Sequence, residues 1–248
     1  MNLPKYFQYP GKVVSVILPG LLVTSLLPGQ LLAQSAPMKI SLEFPSGDPR
    51  GTPASTLGGG RRGVSCLTID KGKPSLTALM PKRDNKSLTA TKTPEFYFYV
   101  PKTTASTAEF ILREGEEDIY DTTFKLPGKS GIVKLQIPPT SALKTGSTYK
   151  WYLTIICNPD DRSADEYIHG VIERTAITPS LSKALQQATP LKQAKIYAQY
   201  ALWPETITKI AQLRTEKPNE WKELLKSVGL EVIASEELFD CCQPDPKP

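Results

Sequence analysis

An α+β fold is predicted by two changes of rhythm along the chain and by the turn chemistry between them. From Met38 to Arg174 apolar residues recur at every second position in short runs, the period of a half-buried strand. Turn-forming stretches such as "REGEED" (113–118) and "PGKSG" (127–131) separate these runs at hairpin-like intervals. From residue 178 onward the period becomes helical, and Thr-Pro pairs open the first two helical segments. The expected architecture is an antiparallel β-sandwich followed by a small C-terminal helical hairpin bundle. The expected organisation is a signal peptide over 1–35, a β domain over 36–177, an α-helical subdomain over 178–240 and a disordered tail over 241–248.

The N-terminal segment has the pattern of a secretory signal. Lys5 and Lys12 supply a positive start, and the uncharged run from Val13 to Ala36 follows. Ala33 and Ser35 occupy the −3 and −1 positions for cleavage after Ser35; cleavage after Ala33 is the alternative. Val13–Ala33 is 21 residues, long enough to span a bilayer. Pro19, Gly20, Pro28 and Gly29 interrupt it, which favours a cleaved signal over an anchor, and no other stretch is suited to crossing a membrane. Removing Lys5 and Lys12 lowers the formal charge of +5 to about +3, with no stable membrane insertion expected afterwards.

In the β region, "MKISLEF" sets Met38, Ile40, Leu42 and Phe44 on one face. Strands are then expected over 64–69, 75–80, 95–101, 107–113, 117–125, 131–137, 148–157 and 166–174. "TYKWYLTIIC" is the clearest: Tyr149, Trp151, Leu153, Ile155 and Cys157 alternate toward a core. Because Trp151 shares its strand with Cys157, the likeness to an immunoglobulin domain is one of architecture only. Tyr97 and Tyr99, opposite Phe96 and Phe98, are candidates either to line a carbohydrate or peptide groove or to lie beneath the helices. In the α region, Thr178 and Thr189 are expected N-caps with Pro179 and Pro190 behind them. Leu191, Ala194, Ala198 and Ala201 follow helical spacing, "PETITKIAQLR" continues the pattern, and Asn219 and Gly229 bracket a last helix.

Few chemistries find support. "GGGRRG" (58–63) spells G-x-G-x-x-G, but a dinucleotide fingerprint needs a strand immediately before and a helix after it. Here a strand pattern follows, and Val64 stands where a phosphate-binding loop needs lysine. The glycines instead permit a tight loop that presents Arg61 and Arg62, whose planar guanidinium groups suit carboxylate or phosphate. Between Arg50 and Lys92 nine bases face two acids, so this segment is the anion-binding candidate. His169 is the single histidine, which excludes a multi-histidine metal site, and no nucleophile elbow accompanies it. "NPDDRSADE" (158–166) lacks EF-hand spacing and reads as a solvated turn. Cys66, Cys157, Cys241 and Cys242 form an even set in an exported context; a Cys66–Cys157 bridge is favoured, since pairing adjacent cysteines is strained. No catalytic set, metal site, cofactor or nucleic-acid surface is indicated. The expected partner is a protein or an anionic envelope polymer. The rivals are a cell-envelope hydrolase using carboxylates that the sequence does not single out, and a structural envelope protein.

Nine short blocks occur in order: "GGGRRGVSC", "LTALMP", "TPEFYFYVP", "AEFILRE", "YDTTFKLPGKSGIVKLQIP", "YKWYLTIIC", "HGVIER", "ATPLKQAKIYAQYALW" and "WKELLKSVGL". Together, over about Gly47 to Cys241, they resemble the cyanobacterial domain-of-unknown-function family 928. The resemblance implies an exported protein of a Gram-negative phototroph with its β part and helical tail as one unit. It implies no catalytic residue.

Overall fold

A computed structural model describes Leu42, Phe44, residues 65–81 and residues 86–240. The expected signal segment, the loop bearing Arg61 and Arg62, and the tail from Cys241 lie outside the described residues. The described chain is α+β. Its strands are β1 (Leu67–Thr68), β2 (Thr77–Ala78), β3 (Lys86–Thr89), β4 (Glu95–Val100), β5 (Lys102–Thr103), β6 (Thr107–Glu114), β7 (Glu117–Lys125), β8 (Gly131–Gln136), β9 (Thr148–Ile156), β10 (Glu166–Arg174) and β11 (Leu238–Phe239). Its helices are α1 (Pro179–Gln186), α2 (Pro190–Gln199), α3 (Trp203–Leu213) and α4 (Pro218–Ser227). No helix of the described residues is long and apolar enough to cross a membrane.

The strands form a five-stranded sheet in the order β3-β10-β9-β6-β7, a four-stranded sheet in the order β11-β8-β4-β2, and the small pair β1-β5. The hairpin-linked neighbours are antiparallel, as the turns require. The expectation of wholly antiparallel sheets is corrected at two edges: β3 runs parallel to β10, and β11 runs parallel to β8. Each pair is far apart in sequence and no tight turn links it, so hairpin geometry does not impose an antiparallel direction there. Neither β3 nor β11 was anticipated; "KSLT" and "LF" are too short to show a period.

Alternation places the core as the sequence predicts. Along β9, Tyr149, Trp151, Leu153 and Ile155 are each at most 2% exposed. Trp151 meets Phe96 and Phe98 of β4 at ring-centroid distances of 6.1 and 5.4 Å, and Phe110 of β6 lies 5.1 Å from Phe96. Each such ring removes about 150–250 Å² from water, which at about 25 cal/mol per Å² is roughly 4–6 kcal/mol before entropy. Leu42 is buried and Phe44 packs edge-on against Trp203 at 5.0 Å, although neither residue lies in a strand.

β4 is buried on both faces, which settles the alternatives for its tyrosines. Tyr97 and Tyr99 are 4% and 1% exposed, and α3 packs on this strand. They lie beneath other elements rather than along an open groove. Burial, with the Glu95 charge second, raises the Tyr97 phenol far above its usual range; burial likewise pushes Tyr99 up to about 12. A phenol whose folded pKa is raised keeps its full contribution below pH about 10 and loses it as pH climbs through the folded value. Urea midpoints should therefore hold to about pH 10 and then fall, with a limiting slope of about 2.7 kcal/mol per pH unit for two protons. Phenolate absorbance should accompany unfolding. Ionisation of both tyrosines in the still-folded chain near pH 10 would contradict this placement.

Helix starts follow the predicted chemistry. The Thr178 and Thr189 hydroxyls accept from the backbone N–H groups of Leu181 and Lys192. Asn219 is not the cap of α4. Lys217 takes that position because Pro218 fits the first helical site, where its missing N–H is no loss. Gly229 ends the helix with φ +75°. After α4 the chain returns to the sheet as β11, and there only glycine fits at Gly131: a Cβ would strike the Phe239 ring and come within 2.8 Å of the Glu237 carbonyl.

Candidate functional site

Cys66 and Cys157 form a disulfide with their Cα atoms 5.5 Å apart, closing 91 positions of chain. Cys157 was expected inside on the Trp151 face; it is half-buried, one residue beyond β9. The acidic turn supports it. Asp165 accepts from the Cys157 N–H at 3.0 Å and pairs with Arg162, which also reaches Glu109 at 3.2 Å. Asp161 accepts from the Ser163 N–H, its pKa is lowered first by the Ser163 hydroxyl and second by that N–H, and Glu166 accepts from the Ser65 hydroxyl at 2.6 Å. These carboxylates therefore brace a turn, and among the described residues no three His, Cys, Asp or Glu side chains gather around a cation.

His169 lies on β10 with its side chain on the outward face of the five-stranded sheet. Register sets it directly across from Tyr152 of β9, and the rings are 5.8 Å apart. Tyr167, two residues back along β10 and 40% exposed, stacks on His169 at 6.4 Å. The Arg113 guanidinium of β6 sits 5.9 Å above the Tyr152 ring. Arg113 is held by two bonds to Asp118 (2.6 and 3.2 Å), which raise the guanidinium's pKa further and lower that of the carboxylate. The His169 Nδ1 is buried and meets no hydrogen-bond partner among the described residues. Alternation requires this face to point away from Trp151, and the helices pack on β3 and β4 instead.

A second feature lies on the helical side. Glu205, in the first turn of α3, is 9% exposed. Its Oε1 accepts from the Thr89 hydroxyl at 2.8 Å and from the backbone N–H groups of Ala90 and Thr91 at 2.6 and 2.8 Å. Its Oε2 is buried and has no hydrogen-bond partner among the described residues. This latch ties α3 to the end of β3, beside the Leu88–Leu202 bridge and the Trp203 indole N–H donated to the Leu79 carbonyl at 2.7 Å. Glu205 also lines a cleft of about 300 Å³ together with Glu95, Gln136 and Lys209.

The link before Glu205 contains a strained residue. Ala201, expected in helical spacing, leaves the helix with φ +55°. The Leu202 N–H reaches the Tyr197 carbonyl at 3.0 Å and the Ala201 N–H reaches that of Ala198 at 2.9 Å, the paired bonds of a Schellman motif. That motif favours glycine at the left-handed position, and alanine there costs roughly 1 kcal/mol. Ala201→Gly should raise the melting temperature by about 2–4 °C. An unchanged or lower value would mean that the alanine methyl packs well enough to offset the strain.

Sequence reasoning missed Glu205, Tyr152 and Tyr167. For Glu205 the available signal was an acid at the third position of a Pro-opened helix. For the tyrosines it was a large aromatic on the water-facing phase of an alternating strand. Arg61 and Arg62 lie outside the described residues, so their placement relative to either feature is not described.

A family model described as Domain of Unknown Function (DUF928) matches residues 57–238. No curated protein matches the chain. Among solved structures, the crystal structure of an engineered protein is similar with a TM-score of 0.32 and 11% identity over 43% of this chain. The match spans 21% of that protein's length.

Proposed function

This chain belongs to the DUF928 family of domains of unknown function, and from that premise we propose that it is an exported, non-catalytic interaction module of the cell envelope. The recognition surface in this reading is the outward face of the five-stranded sheet. One observation carries it: Tyr152, His169, Tyr167 and Arg113 form a continuous array of planar groups where an alternating strand ordinarily sets small polar side chains toward water. Tyrosine and arginine are the residues that dominate interface energies, and exposed aromatic surface marks binding sites. The architecture is read as a sandwich of the two large sheets with a helical hairpin bundle laid against it.

The partner is a protein or an anionic polymer of the envelope, with Arg61 and Arg62 adding a salt-sensitive component. Purified mature chain should bind isolated envelope polymer or an envelope protein fraction. Tyr152→Ala/Tyr167→Ala should weaken that binding at least about tenfold while the melting temperature moves by no more than about 2 °C. Wild-type binding by this variant would sink the surface assignment. Arg61→Ala/Arg62→Ala should remove the salt dependence and leave the melting temperature unchanged; a drop of several degrees would make the loop structural. Export is tested by the mature N-terminus, expected at Gln34 or Ala36, whereas an intact Met1 on membrane-bound protein would indicate an anchor.

The hydrolase alternative would draw on Glu95 and Glu205, which line one cleft. Three donors hold Glu205 Oε1 and its Oε2 is buried away from solvent, so neither oxygen is presented to a substrate in the cleft, which disfavours it as a base or nucleophile.

A further inference from the structure

We propose that β7 pairs antiparallel with β7 of a second copy of this chain, joining two five-stranded sheets into one continuous sheet. The pairing does not rest on the outward-face reading, because it uses main-chain groups at the rim of the sheet and not the rings of β9 and β10.

β7 stands at the end of the order β3-β10-β9-β6-β7, and among the described residues no strand or helix runs along its far side. The other sheet ends are short or covered: β2 and β11 span two residues each, and α3 packs against β3. β7 spans nine residues. A long bare edge is a template for another strand. The ladder to β6 tells which groups lie there. The Leu126 N–H reaches the Ser106 carbonyl at 2.8 Å, so even-numbered residues of this strand turn their main-chain groups toward β6. Asp121, Thr123 and Lys125 turn theirs to the open side. The bulge beside Arg113 lies outside this stretch, which pairs regularly with residues 107–111 of β6.

The stretch is complementary to itself. A two-fold axis at Thr123 sets Thr123 against the partner's Thr123, and Asp121 against the partner's Lys125, with the same ion pair repeated by symmetry. Hydroxyl facing hydroxyl and carboxylate facing ammonium are both favourable cross-strand pairs. Each of these pairs also exchanges two main-chain hydrogen bonds. Moving the axis to Thr122 or Phe124 loses both ion pairs, and moving it to Asp121 sets carboxylate against carboxylate. Pro127 has no N–H, so the ladder stops at Lys125. Lys125 is exposed. Asp121 engages another group as well, which the two oxygens of a carboxylate allow. Thr122 and Phe124 are buried on the inner face, so the ion pairs lie on the water side. There they select the register, and the main-chain bonds hold the strands together. A contact this short belongs to the weak end of interfaces. It would also carry both outward faces onto one surface, with the two β9 strands about 24 Å apart across the sheet at about 4.8 Å per strand.

Sedimentation of the full chain between about 5 µM and about 1 mM tests the proposal and should show monomer giving way to dimer. Amide exchange of Thr123 and Lys125 should slow as concentration rises, while that of Phe124, already bonded to β6, should not change. Lys125→Asp and Asp121→Lys each set like charges across the axis, and each should weaken self-association at least about tenfold. Mixed together, the two variants should pair as wild type does, since every facing charge is then opposite. Thr123→Pro removes a donor from the open side without touching the β6 ladder and should leave a monomer at about 1 mM. Should that variant fail to fold, Lys125→Asp, at an exposed position, decides the matter. The proposal is overturned by a wild-type monomer at about 1 mM, by a dimer indifferent to Lys125→Asp, or by variants that do not pair when mixed. Thr123 and Lys125 amides protected equally at every concentration would also overturn it, because another part of the same chain would then occupy the edge. Tyr152→Ala/Tyr167→Ala should dimerise as wild type does, so a failure here and a failure of the outward face are separate results.

Discussion

Replacing Cys66 and Cys157 together by alanine should lower stability by about 4 kcal/mol, close to the upper end of the usual 2–5 for a native bridge. The bridge closes 91 positions, and loop-closure entropy withheld from the unfolded chain grows with that number. It also holds a weak element. β1 and β5 pair over two residues each, and the Cys66 carbonyl accepts from Thr104 and Thr103 beside them. At about 2–4 °C per kcal/mol, the melting temperature should drop by roughly 8–16 °C. Reduction of the wild-type chain should reproduce most of that fall. Amide exchange near Leu67 and Thr103 should accelerate before that of β9. A fall below about 1 kcal/mol, or peptide mapping that finds Cys66 free, would mean that the bridge does not stabilise this fold.

Glu205→Ala should cost about 3 kcal/mol. The substitution strips the acceptor from the buried Ala90 N–H and the Thr89 hydroxyl and one of two acceptors from the part-buried Thr91 N–H, which keeps the Thr89 oxygen at 3.2 Å, and each unsatisfied donor costs about 1–3 kcal/mol. Removing a buried carboxylate with one unpaired oxygen returns part of that sum, which keeps the total below the plain addition. The melting temperature should fall by about 6–12 °C. Because the group is buried, the loss should change little with salt, unlike that of an exposed pair. Exchange of the Ala90 and Thr91 amides should rise with the loss, which distinguishes a broken latch from general softening. A cost under 1 kcal/mol with those amides still protected would show that water takes over the acceptor role.

Much of this was legible in advance where the information is local. Trp151, Leu153 and Ile155 could be assigned to the core because strand geometry sends alternate side chains to one face. Thr178 and Thr189 could be assigned as caps because a hydroxyl two or three residues before an orphan N–H is a short-range device. Asn219 misled because proline at the first helical position outweighs a good cap one residue later. Ala201 misled because its spacing is helical, and nothing in the letter A announces a left-handed residue.

By itself the sequence determined the strand and helix phases and the α+β class, because each depends on periodicity or on chemistry between near neighbours; it favoured Cys66–Cys157 among three possible pairings, and the fold decided it by bringing the two Cα atoms within 5.5 Å. Only the tertiary structure decided the parallel edges β3 and β11, the covering of Tyr97 and Tyr99 by other elements, and the meeting of Glu205 with Ala90 and Thr91, 115 and 114 positions away. It also set His169 beside Tyr152 through the register of β9 against β10. These are contacts between segments whose own patterns are complete without them. Which distant segment supplies a partner is fixed when the apolar faces pack and desolvate the polar groups between them, and that packing leaves no periodic trace in the residues that meet.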